Sequence, residues 1–439
     1  MCHADFALFM CEFDSPSADT GKAAQPRPRG VGKIRHSIRR ERISMTLETA
    51  LPTAGDLGRI VQDALDSVQA DPALVRFPRQ LLESLGKAGV LRSRWSADAA
   101  PGTDAGDVVF GVRLGAELSS RAPAGVAIGV SLHTETVLSL LHRFGHSDYL
   151  VALREQALDG TAVGCIAASE PTGGSDLSAV TCLATPTEHG WSVTGRKKFV
   201  SLGAVADFAV VLCRIAAADG RPTDRHATIV VPMTAARILR EHDKLGTHAL
   251  DTVAVEFDGA EVDRQATLGR AGLGVLNLNY GLSFERLAIA AQVAGGCATA
   301  ISLAVEHAGR RTQFGKRLRE HQYIAFRLAE LSAEVEVLSG AVDTIARDLM
   351  AGPLDRALIS RIAAVKLCAA RAGERLISEA MQVFGGPGYL PRETPFGQFW
   401  NDIRVARIGA GTDEMMLAII TDSLHGNPDL YDRLVSISS

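Results

Sequence analysis

Several features that would narrow the function early are missing from this chain. It has no CxxC pair: the seven cysteines (Cys2, Cys11, Cys165, Cys182, Cys213, Cys297 and Cys368) are scattered and odd in number. That argues against a disulfide or zinc framework and for reduced core thiols in a cytosolic protein. There is no basic surplus, the formal net charge being -4, so nothing is available to neutralise phosphates and no nucleic-acid partner is expected. No uninterrupted apolar run approaches the length that spans a bilayer, so no membrane association is expected, and the location should be cytoplasmic. A strand–GxGxxG–helix nicotinamide site is also absent.

What is present is an ordinary globular balance, 46% apolar and 22% charged over 439 residues, enough for two or three domains. Residues 1–44 stand apart, acidic and mixed before PRPRG and KIRHSIRRER. Asp5, Glu12, Asp14 and Asp19 are wrong for a transit peptide, so a disordered extension is expected, with Met45 as the true start. Residues 45–159 carry apolar positions at helical spacing, as in Leu57, Ile60, Val61, Ala64, Leu65 and Val68 after the cap Asp56. Over 160–270 the pattern changes to short β-branched runs broken by HGW and ADG turns, which predicts a small antiparallel barrel or sandwich. Long helices follow, about 273–311, 320–350, 354–384 and 413–424, predicting a four-helix bundle over 271–430 with a tail at 431–439. The fold class is therefore α+β multidomain.

Five stretches could carry chemistry. ASEPTGGSDL (168–177) ends a predicted strand; Gly173 and Gly174 permit close backbone approach, and Ser169 and Ser175 offer hydroxyls. A polar β-turn would read the same. GRKKFVSLGAVADF (195–208) sets Phe199 and Ser201 on one strand face, suited to a flat heteroaromatic ring but equally to any half-buried strand. Arg310, Arg311, Lys316, Arg317 and Arg319 cluster where two helices meet and match a diphosphate, although solvated helix ends carry such charges too. FGGPGYLPRETPFGQFW (384–400) is a glycine-rich break held as a turn. Finally, Glu285 and Arg286 are the only charges between Arg270 and Glu306, on a stripe with Leu282, Ile289 and Val293. A buried carboxylate is costly unless answered, so Glu285 is a site candidate.

Taken in order, SEPTGGSD, GRKKFVS, GLGVLNLNYGLSFERLAIA, RRTQFGKRLREHQ, FGGPGYL and IGAGTDEM resemble the acyl-CoA dehydrogenase flavoproteins over about residues 55–425. The resemblance implies a helical domain, a β-barrel domain and a C-terminal four-helix bundle. It implies FAD held by Ile166, Ala168, Ser169, Gly174, Ser175, Phe199, Val200 and Ser201, with Thr412 and Glu414 as further contacts. Arg311, Gln313, Phe314, Gln322, Gln382, Phe384, Gly385 and Gly386 match the positions that hold the adenosine diphosphate part, often across a subunit boundary, so a homodimer or homotetramer is implied.

The family oxidises acyl thioesters of coenzyme A or an acyl-carrier protein to trans-2-enoyl thioesters, a glutamate taking the α-proton while hydride passes to flavin N5. Most members carry that base in the C-terminal loop, where Ala410 stands here. A minority, including isovaleryl-CoA, long-chain and prolyl-carrier-protein dehydrogenases, carry it on the bundle helix before an arginine, the position of Glu285. Ser175, Arg286, Ala410 and Gly411 would then bind substrate, and an electron-transfer flavoprotein or similar acceptor would take the electrons. A flavin monooxygenase or acyl oxidase on the same fold, and a non-catalytic flavin- or acyl-binding protein, are the rival readings.

Overall fold

The structure, a computed structural model, describes residues 55–69, 74–95 and 105–435. The expected 1–44 extension and the Met45 start lie outside the described residues. From Leu57 the chain is helical: α1 (Leu57–Ser67), α2 (Gln80–Lys87), α3 (Val90–Arg94), α4 (Val108–Arg121), α5 (Ala124–Ser131), α6 (Leu138–Phe144) and α7 (Asp148–Leu158). Leu57, Val61, Ala64 and Leu65 form the buried stripe of α1 that the spacing predicted, but Asp56 makes no side-chain cap hydrogen bond. Between α5 and α6 the chain makes one π-helical turn, Leu132–Val137.

Eight strands follow: β1 (Gly164–Ala167), β2 (Leu183–Pro186), β3 (Gly190–Ser201), β4 (Phe208–Ala216), β5 (Pro222–Pro232), β6 (Ala236–Glu241), β7 (Thr252–Asp263) and β8 (Thr267–Gly272). They form one sheet in the order β6-β7-β3-β2-β4-β5-β8, with β1 also paired to β4. The expected small antiparallel barrel or sandwich is present as one sheet, and two details go beyond that expectation. Strands β6 and β8 end the path without pairing to each other, so the barrel is open. Strands β1 and β2 both run parallel to β4. The reason lies in the loop between β1 and β2, which returns the chain to the same side of β4. It is pinned by the Glu170 carboxylate, which accepts from Thr181 N (2.7 Å), Cys182 N (2.8 Å) and the buried Lys197 Nζ (2.9 Å).

The C-terminal helices are α8 (Gly274–Arg310), α9 (Gln322–Ala351), α10 (Arg356–Phe384), α11 (Phe396–Ile403), α12 (Asp413–Thr421) and α13 (Pro428–Leu434). A two-strand hairpin, Thr312–Gln313 with Lys316–Arg317, joins α8 to α9. Two elements differ from expectation: 396–403 is a helix within the predicted loop, and α13 extends into the predicted tail. By length and composition two helical stretches, Ala124–Phe144 and Gly274–Arg310, could cross a membrane, but their apolar windows are 83% and 56% buried inside the protein. Helix α8 is apolar because it is packed on several sides. At its crossing with α4, a Cβ on Gly295 would come within 2.8 Å of the Ala116 carbonyl, so the absence of a side chain there sets the close approach.

Within the helical layer Arg94 and Glu135 form a buried pair, with Arg94 Nη2 to Glu135 Oε2 at 2.8 Å. Arg94 Nη1 donates to the Ala105 carbonyl (2.6 Å), and the guanidinium lies 4.0 Å from the centre of the Trp95 ring. Arg94→Leu leaves Glu135 buried and unpaired, so it should destabilise the protein by about 3–5 kcal/mol in denaturant titrations, whereas adding Glu135→Leu should recover much of that loss.

Candidate functional site

The site is built around the loop that precedes α12. Ala410 (φ 54°) and Gly411 (φ 108°) both lie at positive φ, and this turns the chain sharply after Gly409. Two buried cations hold the turn from behind. Arg286 Nε donates to the Ala410 carbonyl at 2.9 Å, and Lys366 Nζ, from α10, donates to the Gly411 carbonyl at 2.6 Å. The amide N–H groups of Ala410, Gly411 and Thr412 have no hydrogen-bond partner among the described residues. Thr412 caps α12 by accepting from Met415 N. Asp413 accepts from Arg371 Nε (3.0 Å) and Arg407 Nε (2.9 Å), which tie the first turn of α12 to the bundle.

Glu285 sits on α8 beside this turn, partly buried. Its Oε2 accepts from the hydroxyl of Thr136, a residue of the π turn, at 3.0 Å. Burial pushes the Glu285 carboxyl above its ordinary range; the Thr136 hydrogen bond and the charges of Arg286 and Lys366 oppose this without cancelling it. Burial likewise lowers Arg286 to about 10 and Lys366 to about 8. A carboxylate with raised basicity thus faces a loop with free backbone donors, an arrangement suited to removing a proton next to a carbonyl whose oxygen needs stabilising.

The sheet supplies a second wall. Phe199 lies at a register shift in β3 with φ 60°, its ring 58% exposed and 5.1 Å from the His242 ring. Ser201 Oγ lies 3.3 Å from Thr252 Oγ1, and Val200 is buried. Ile166 and Ala168 are partly buried at the end of β1, while Gly174 and Ser175 are exposed beyond Glu170. The Ser169 carbonyl accepts from Lys198 N at 2.8 Å, which locks this loop to β3. Leu202 packs against Gly129 of α5, about 10 Å along the helical path from Thr136. The β3 end and Glu285 therefore both contact the continuous helical stretch Ala124–Phe144.

The remaining predicted residues lie elsewhere. Arg311, Gln313, Phe314 (94% exposed) and Gln322 surround the hairpin after α8. Phe384 stacks on His307 with ring centres 4.2 Å apart, which brings Gln382, Gly385 and Gly386 to the same end of α8. A Cβ on Gly385 or Gly386 would meet nothing within 4 Å, so both leave bare backbone open. That end is about 40 Å along α8 from Glu285, so the structure groups the predicted residues into two sets and does not join them within one chain.

Sequence reasoning missed Thr136, Lys366, Glu170 and Lys197 as contributors. Glu170 and Lys197 lay inside quoted motifs, and Lys366 is the one charge in the apolar stretch IAAVKLCAA, a signal of the same kind as Glu285. Thr136 carried no such signal. Because Lys366 is lowered from 10.5 to about 8 in the folded state, the unfolded chain binds more protons between those values. Stability should therefore rise with pH across that window and gain nothing from this group below it. In Lys366→Met this rise should be absent from denaturant midpoints measured from pH 7 to 10.

Comparison with known proteins adds to this geometry. The chain matches the family models for the acyl-CoA dehydrogenase middle domain over residues 165–260 and the acyl-CoA dehydrogenase C-terminal domain over 272–425. It is 40% identical over 383 residues to the acyl-(acyl-carrier-protein) dehydrogenase MbtN of Mycobacterium sp. (strain MCS), covering 86% of this chain and 95% of that protein. It is 31% identical to the mitochondrial isovaleryl-CoA dehydrogenase of Oryza sativa subsp. japonica, covering 69% of this chain and 73% of that one. Among solved structures, butyryl-CoA dehydrogenase from Megasphaera elsdenii superposes with TM-score 0.76 at 25% identity, covering 87% of this chain and 99% of that one. An acyl-CoA dehydrogenase from Geobacillus kaustophilus gives TM-score 0.76 at 28% identity, covering 87% and 100%. With its helical, sheet and bundle layers in the same order, the chain is an oxidoreductase of the acyl-CoA dehydrogenase family.

Proposed function

We propose that this protein is an FAD-dependent dehydrogenase that introduces an α,β double bond into an acyl thioester, carried by an acyl-carrier protein in preference to coenzyme A, with Glu285 as the α-proton base. The observation that carries the reading is Glu285 itself: a raised carboxylate beside a backbone turn with unpaired N–H groups, in a chain whose loop has Ala410 where a second carboxylate would have to stand. The residues present fit the cofactor. The uncovered Phe199 ring and the Ser201 hydroxyl suit a flat ring with polar edges. Thr412 and Glu414 at the start of α12 and the open Gly385–Gly386 backbone suit its polar chain. When bound, FAD supplies a hydride acceptor at N5 for the β-hydrogen, which makes the product a trans-2-enoyl thioester.

The chain's own groups do the rest. Glu285 accepts the α-proton. The Ala410 and Gly411 amides stabilise the negative charge that develops on the thioester oxygen, because Arg286 and Lys366 occupy the carbonyls and leave the N–H groups to the substrate. Arg286 thus serves the substrate through the loop rather than by direct contact. The carrier-protein preference is supported by the 40–42% identity to relatives named acyl-(acyl-carrier-protein) dehydrogenase. The separation of roughly 40 Å along α8 between Glu285 and the hairpin end supports a homodimer or homotetramer in which Arg311, Gln313, Phe314, Gln322, Gln382 and Phe384 of one copy complete the site of another. An electron-transfer flavoprotein or similar acceptor fits as the electron acceptor, since no nicotinamide motif accompanies the site.

The decisive assay mixes the yellow protein anaerobically with matched acyl-carrier-protein and acyl-CoA thioesters. Bleaching of the flavin is expected, faster with the carrier-protein form; no bleaching with any thioester would reject the dehydrogenase reading. Glu285→Gln should keep FAD and bind thioester but lose flavin reduction by about 10² to 10⁴, the usual worth of a positioned general base. Placing Ala410→Glu in that background is expected to return part of the rate, measured by the same stopped-flow bleaching.

A further inference from the structure

We infer that Thr136 is a positioning residue, whose hydroxyl keeps the Glu285 carboxylate in the charged form that accepts a proton; this rests on the reading of Glu285 as the base. Thr136 is fully buried, and its Oγ1 lies 3.0 Å from Glu285 Oε2. Among the described residues it is the one hydrogen-bond donor to that carboxylate. The cations facing Glu285, Arg286 on its own helix and Lys366 on α10, donate to the Ala410 and Gly411 carbonyls instead.

A threonine inside a helix commonly donates its proton back to the carbonyl four residues earlier. Thr134, two positions before, does so, to the Val130 carbonyl at 2.9 Å. Thr136 directs its proton across to α8. Thr136 lies within the π turn Leu132–Val137, whose backbone register differs from that of a regular α-helix.

The turn is also held rigid on the sides that do not face Glu285. His133 accepts from Gly164 N through Nδ1 (3.2 Å) and donates from Nε2 to the Ala157 carbonyl (3.0 Å), burial keeping it neutral with its pKa down to about 4. Glu135 is locked to Arg94, and the Thr134 carbonyl accepts from Trp95 Nε1 at 2.8 Å. Thr136 therefore presents its hydroxyl from a fixed support. A hydrogen bond donated to a carboxylate favours the charged form, so its loss raises the pH at which Glu285 takes up a proton.

The test uses the full-length, FAD-loaded protein, reduced anaerobically from pH 5.5 to 9 by a thioester that bleaches the parent. Thr136→Val should be about tenfold slower at the acid end, the difference closing as pH rises. Thr136→Ser, which keeps the hydroxyl, should follow the parent, and Thr136→Ala is read alongside in case the valine disturbs packing. A readout independent of turnover is the infrared carboxyl band of Glu285, identified by its loss in Glu285→Gln, whose titration midpoint should move to higher pH in both hydroxyl-free variants. A rate loss of equal size at every pH, or an unmoved infrared midpoint, would overturn the role of Thr136. If Glu285→Gln is inactive while Thr136→Val is flat with pH, this inference alone fails. If Glu285→Gln reduces its flavin at the parental rate, the base assignment fails and takes this inference with it.

Discussion

Two buried cations answering two successive carbonyls are the constraint on which the site depends. Removing an ammonium or guanidinium from water costs several kcal/mol per ion, so Arg286 and Lys366 need good acceptors. The acceptors they have are the Ala410 and Gly411 carbonyls. Moving the loop away would leave two charges buried and unpaired, so the loop stays where it is. The loop so tethered has positive φ at both residues, and its Ala410, Gly411 and Thr412 amides have no hydrogen-bond partner among the described residues. Lys366 and Arg286 come from different helices, so the loop also reports the relative placement of α8 and α10.

The π turn Leu132–Val137 plays the matching part on the other side. Four consecutive residues point to four structures: His133 to the first strand and α7, the Thr134 carbonyl to Trp95, Glu135 to Arg94, and Thr136 to Glu285 on α8. One irregular turn therefore sets the first helical layer, the sheet and the bundle in register around a single carboxylate. An extra residue in a helix is rarely retained without a use of this kind.

Much of the architecture was legible because it depends on local pattern. The helical spacing of α1, the change to β-branched runs near residue 160 and the long bundle helices all reflect a buried face recurring at the period of its own element. The β domain was legible too, but not its closure or the direction of every strand, because these depend on pairings between distant strands. No local spacing encodes that β1 and β2 both lie beside β4. Glu285 was legible because it and Arg286 are the only charges between Arg270 and Glu306. Its partner was not: Thr136 lies 149 residues away and is unremarkable in its own stretch.

The same division runs through the chemistry. Residue types belong to the sequence: a carboxylate at 285, none at 410, glycines at 385, 386 and 411, and an aromatic followed by a hydroxyl at 199 and 201. Their identities exclude a loop base at 410 and permit a helix base at 285. Whether Arg286 would meet substrate or backbone, which donor Glu285 would have, and that the hairpin set would lie some 40 Å along α8 from the carboxylate were left to the fold. The reason is that desolvation and hydrogen bonding act through space: the cost of burying a charge is a property of what surrounds it after folding, and the surroundings come from the whole chain.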